Sequence, residues 1–121
     1  MMKSPIIEAI QWGSMKLEGY PSGRDFMIYP GGAKSWDWNE SNTSHEKGIQ
    51  PKDIQFLIDK GAVNIVLATG MNSRLKVSDA AIEFLEKTGI EYCILSTEDA
   101  VKEYNRLAST IPVGGLFHTT C

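Results

Sequence analysis

Strong metal ligands are scarce in this chain of 121 residues: two cysteines, Cys93 and Cys121, and two histidines, His45 and His118, are the whole supply. Only His118 and Cys121 stand at a ligand-like spacing, and a structural zinc site ordinarily shows a second close pair, so no metal is expected. Two cysteines do not make a disulfide framework and are consistent with a reducing compartment. Cys93 lies inside an apolar run, where burial disfavours the thiolate. Cys121 closes the sequence, where side chains are commonly poorly held. Neither is expected to act as a nucleophile.

Positive charge is short as well. Twelve Lys and Arg against fifteen Asp and Glu leave a net charge of -3, which offers no basic field for phosphate backbones and no polybasic patch for anionic membranes. Neither nucleic acid nor membrane is therefore expected as a partner. No stretch approaches the roughly 18 apolar residues of a spanning helix. The opening "MMKSPIIEAIQWGSMKLEG" has neither a signal-peptide run nor an Arg-rich transit pattern, so the expected location is cytoplasmic. On that basis the glycosylation sequons at Asn39 and Asn42 are coincidental.

Catalytic signatures are missing too. Neither the Gly-rich dinucleotide fingerprint nor the phosphate loop with its Gly-Lys-Ser/Thr ending occurs. Asp37 and Glu40 are close in sequence, but most carboxylates fall in helix first turns or on polar helix faces. No catalytic residue, cofactor or metal ligand is assigned, and no enzyme activity is expected.

What is present is enough apolar residue, 42%, for one domain over residues 1–121 that buries roughly two-thirds of its unfolded surface. The first third has strand period: "IIEAIQW" and "MKLEG" are separated by Gly13 and Ser14, a pair suited to a tight turn, and "DFMIYP" ends at Pro30. Residues 31–50 read as one long irregular interval. Beyond it, Pro51 opens a helix with Ile54, Leu57 and Ile58 on one face and a stop at Gly61. "VNIVLAT" has the pattern of a strand covered on both faces. Ser78 can cap "DAAIEFLEKT", which Gly89 closes. "IEYCILS" is another buried strand, Ser96 or Thr97 can cap a third helix, and "VGGLFHTT" is a last strand. The alternation from Val63 onward predicts crossover units. The expected fold is a three-layer α/β domain with a central mixed, mostly parallel sheet, an N-terminal antiparallel hairpin and three helices.

Two segments can carry a function. In "YPGGAKSWDW", Pro30, Gly31 and Gly32 turn the chain, and Trp36 and Trp38 flank Asp37. In an extended segment the two indoles share a side. They either seal the fold as a small satellite core or present an anchor to a protein partner. In "ATGMNSRLKV", Gly70, Asn72, Ser73 and Arg74 follow a central strand ending near Thr69, where ligands of open α/β sheets collect. Arg74 could meet an anion there. The other reading of this segment is an ordinary connection.

"QWGSMKLEG", "YPGGAKSWDW", "GIQPKDI", "LKV", "TEDAVKEYN" and "VGGLFHTTC", in that order, closely resemble the family of adipogenesis-associated Mth-domain-containing proteins of animals. The family-like positions are Pro30, Gly31, Gly32, Trp36, Trp38, Pro51, Gly114, Gly115 and His118. The resemblance implies a compact three-layer α/β fold and a cytoplasmic protein linked to preadipocyte differentiation, with no established enzyme activity. A mitochondrial relative with this domain helps assemble respiratory complex I, and the chain does not show that relative's kind of targeting extension. The resemblance supplies no catalytic set. Neither the partner's identity nor the oligomeric state follows from it.

Overall fold

The computed structural model describes residues 2–121. Its first hairpin, β1 (Ile7–Gln11) against β2 (Ser14–Leu17), forms a two-stranded sheet of its own. The turn is Trp12-Gly13, one residue earlier than the Gly13-Ser14 pair expected. The outer edge of β1 is met by a side chain: Asn105 Nδ2 donates to the Ile7 carbonyl and Ile7 N–H donates to Asn105 Oδ1, both at 2.9 Å. An asparagine amide thus replaces a neighbouring strand and satisfies both backbone groups.

The central sheet begins with β3 (Phe26–Tyr29), which turns through Pro30-Gly31 into β4 (Gly32–Ser35). Strand β4 and the short helix α1 (Trp38–Ser41) lie inside the interval read from sequence as irregular, and they correct that reading. A Gly-Ala-Lys-Ser strand has no apolar alternation to reveal it. It exists because β3 offers it an edge. Then follow α2 (Pro51–Asp59), β5 (Asn64–Ala68), α3 (Asp79–Thr88), β6 (Glu91–Leu95), α4 (Thr97–Ala108) and β7 (Val113–Phe117).

The strand order is β4-β3-β7-β5-β6, parallel across β7-β5-β6 and antiparallel across β4-β3-β7. The sheet is mixed and the fold is α/β, with the hairpin and the three main helices where the sequence placed them. Side-chain alternation divides the core. Ile65 and Leu67 of β5 face the layer of α2 and α3 with Ile54, Leu57, Ala81 and Leu85. Val66 and Ala68 face α4 and the β1–β2 hairpin, with Tyr104, Leu17 and Met15. Period 2 in β5 therefore feeds two cores from one strand.

Capping follows the sequence at α3 and departs from it at α4. Ser78 Oγ accepts from Ala81 N–H, and Gly89 ends α3 in the left-handed region. At α4 Ser96 is the N-cap but makes no side-chain capping bond. Thr97 instead donates its hydroxyl to the His118 carbonyl. Gly115 of β7 is required by packing, since a Cβ there would lie 2.4 Å from Phe117 Cε2 and 3.3 Å from Tyr104 Cδ1. Its absence lets Tyr104 and Phe117 meet edge to face with centroids 5.4 Å apart, a contact worth roughly 1 kcal/mol beyond area burial. Among the described residues no helix is long and apolar enough to cross a membrane.

Candidate functional site

The segment from Trp36 to Asp53 is organised by a buried carboxylate. Asp53, 3% exposed, accepts from Trp36 Nε1 at 3.1 Å, from the Gln50 backbone N–H at 3.1 Å, and from the hydroxyls of Ser41 and Thr43. Gln50 and Asp53 form a capping box at the start of α2, so one side chain ends a helix and fixes the loop before it. Trp36 is 5% exposed and belongs to the core. Asp37 is exposed and caps α1 by accepting from Asn39 N–H at 2.9 Å. Pro30 and Gly32 are buried and Gly31 is exposed in the β3–β4 connection.

Trp38 is half-buried and stands between the core and the surface. Its ring lies 5.5 Å from Trp36, 4.8 Å from His118 and 5.2 Å from His45, centroid to centroid. His45 is exposed and packs 5.2 Å from His118. Trp38 Nε1 is buried with no hydrogen-bond partner among the described residues. An unpaired donor of this kind is costly, roughly 1–3 kcal/mol, and native folds seldom retain one without a use.

His118 joins this cluster to the tail beyond β7. Its Nδ1 is 3.0 Å from Asp25 Oδ2 and its Nε2 is 3.1 Å from Thr120 Oγ1. In the neutral ring the carboxylate holds the proton on Nδ1, leaving Nε2 to accept from the hydroxyl. Carboxylate, imidazole and hydroxyl in a row is the order that activates a nucleophile. Here His118 is 3% and Thr120 8% exposed, so the row lies within protein packing and ties residues 118–120 to Asp25. Asp25 also accepts from Thr119 N–H.

Residues 119–121 in turn hold three other segments. Gly13 N–H donates to the Thr119 carbonyl at 2.9 Å, Met71 N–H to that of Thr120 at 2.6 Å, and Arg74 N–H to that of Cys121 at 2.9 Å. The space beyond the carboxyl ends of β5 and β7 is therefore occupied by the chain itself. At Gly70, φ is +106° and a Cβ would lie 2.3 Å from the Cys121 carbonyl carbon. Only glycine fits both constraints. Gly70 N–H donates to Thr97 Oγ1 and its carbonyl accepts from Thr97 N–H. Asn72, Ser73 and Arg74 are exposed on the outer side of this packing.

Among the described residues no three His, Cys, Asp or Glu side chains come together as a metal site. Cys93 is half-buried in β6, and its thiol pKa is pushed up by desolvation and then by Glu103, with Arg106 opposing. Burial drives the Tyr104 phenol far above its ordinary range.

Residues 7–117 match the family model described as "Protein of unknown function (DUF498/DUF598)". The chain belongs to the DUF498/DUF598 family. This domain agrees with the Mth-domain resemblance of its sequence segments. Among solved structures, a conserved hypothetical protein of Pyrococcus horikoshii superposes with a TM-score of 0.79 at 21% identity, over 95% of this chain and 98% of that one. The protein titled MT938 gives 0.76 at 19% identity, over 97% and 99%. A Bartonella henselae protein titled an outer membrane protein gives 0.74 at 19% identity, over 98% and 97%. At these identities the likeness is one of fold.

Within this DUF498/DUF598 domain, the sequence singled out Trp36 and Trp38 but not the residues that fix them. Asp53, Asp25 and Thr120 carry no motif, and His45 lies in the interval that reads as irregular. Trp12, read as the end of a strand, is 56% exposed at the hairpin turn. Its place between Gln11 and Gly13, just before a turn, was the one available signal.

Proposed function

We propose that this protein is a non-enzymatic regulatory module that acts in the cytoplasm by binding a protein partner, and that it promotes preadipocyte differentiation. The observation that carries the binding reading is the Trp38–His45–His118 cluster. It is rigid beneath, through Trp36 to Asp53 and His118 to Asp25, and it reaches solvent at His45. A half-buried indole held on fixed neighbours loses little side-chain freedom on contact, which favours an anchor. The cellular role rests on the family resemblance of the sequence segments.

The test compares the parent with a Trp38→Ala plus His45→Ala variant in preadipocytes, after checking that both fold. Greater lipid accumulation with the parent than with the variant is the expected outcome. Equal accumulation by the two proteins contradicts the assigned surface, and no effect of either contradicts the cellular role.

A further inference from the structure

Three exposed residues outside the aromatic cluster converge on the same tail. Gly13, next to Trp12, bonds Thr119, and the Thr119 hydroxyl donates to the Arg24 carbonyl. The Arg24 guanidinium reaches Thr120 Oγ1 at 3.5 Å, and the Arg74 backbone bonds Cys121. Three consecutive residues thus bond the backbone at Gly13, Arg24 and Arg74, which brings the main chain at or beside Trp12, Arg24 and Arg74 to one end of the sheet. The chain has three arginines. Arg106 makes a bidentate pair with Glu103, both contacts at 2.7 Å. Arg24 and Arg74 are exposed and make no ion pair among the described residues. The nearest carboxylate to Arg24 in sequence, Asp25, is already engaged by His118.

We infer that this end face docks an acidic, extended segment of a partner protein, with Trp12 as its apolar anchor and Arg24 and Arg74 as its carboxylate clamps. Trp and Arg are the side chains that dominate binding hot spots, and the planar guanidinium suits bidentate carboxylate recognition. Two arginines on a chain of net charge -3 fit a short acidic peptide better than a phosphate backbone, which draws its affinity from many cations. The inference rests on the protein-binding reading above and names the chemistry of the partner at its neighbouring surface.

The probe is a fluorescein-labelled, tryptophan-free peptide alternating glutamate and leucine, titrated against the whole protein by anisotropy. Binding is expected at low salt and should weaken as salt rises. Arg24→Glu and Arg74→Glu should each weaken it about tenfold, Trp12→Ala similarly, and the double arginine variant should abolish it; Lys87→Glu on α3 should leave it unchanged. All these side chains are exposed, so circular dichroism should show the parent fold throughout. No binding at low salt, equal binding by the double variant, or tighter binding of a labelled single-stranded oligonucleotide of equal length overturns the inference. Peptide binding with no effect on differentiation leaves the inference standing and removes the cellular role; the reverse result removes the inference alone.

Discussion

Trp36 and Asp53 are 17 residues apart in sequence, and the indole N–H of the first donates to the buried carboxylate of the second at 3.1 Å. This bond decides how "YPGGAKSWDW" is used. The first tryptophan closes the fold, and the second, packed against it at a tilt, is left at the boundary with solvent. Sealing and presenting are therefore divided between two residues of one short segment.

Asp53→Ala removes the acceptor of two side-chain hydroxyls, one indole N–H and one backbone N–H. With several buried donors orphaned at once, a loss of about 3 kcal/mol is expected. Urea unfolding measures it, and the m-value should stay near that of the parent. Asp37→Ala, which removes only the exposed cap of α1, should cost about 1 kcal/mol or less.

Tyr104 donates its hydroxyl to the Pro5 carbonyl at 2.7 Å. Tyr104→Phe leaves that carbonyl unpaired and should cost about 1–2 kcal/mol. The native phenol pKa is raised by burial, so the neutral form's stabilising contribution is complete below the unfolded value of about 10 and is lost as pH rises beyond it. Ultraviolet titration should show the Tyr104 phenolate appearing only together with unfolding. A free titration in the folded protein would contradict the packing described.

Gly70→Ala forces a Cβ into the Cys121 carbonyl at a φ of +106°. A loss of about 2 kcal/mol or more is expected from strain and displacement together. Hydrogen exchange should localise it, with faster exchange at Met71 and Arg74, whose N–H groups bond the tail.

In a Cys121→Ser background Cys93 is the remaining thiol. Its raised pKa predicts slower maleimide modification at neutral pH in the folded protein than in urea. Equal rates would contradict its half-buried setting.

Much of the fold was legible because burial imposes a period. The run "VNIVLAT" shows a strand covered on both faces, and the Ile54-Leu57 stripe shows a helix with one buried face. Strand β4 was not legible, because Gly-Ala-Lys-Ser pairs through backbone groups that every residue carries. The site was less legible still. Asp25 and His118 meet across 93 positions and Trp36 and Asp53 across 17, and no local pattern encodes such contacts. Trp12 looked like any strand aromatic, and only the position of the turn, shifted by one residue, places it in solvent.

The end face organised by residues 118–121 is most directly tested by the three indole N–H signals of a 15N-labelled sample titrated with the acidic peptide. The account predicts that Trp12 shifts, with backbone shifts at Arg24, Arg74 and Thr119–Cys121, while Trp36, held by Asp53, stays in place. An unmoved Trp12 signal, or shifts confined to the groove lined by Lys3, Glu18 and Ser109, would contradict it.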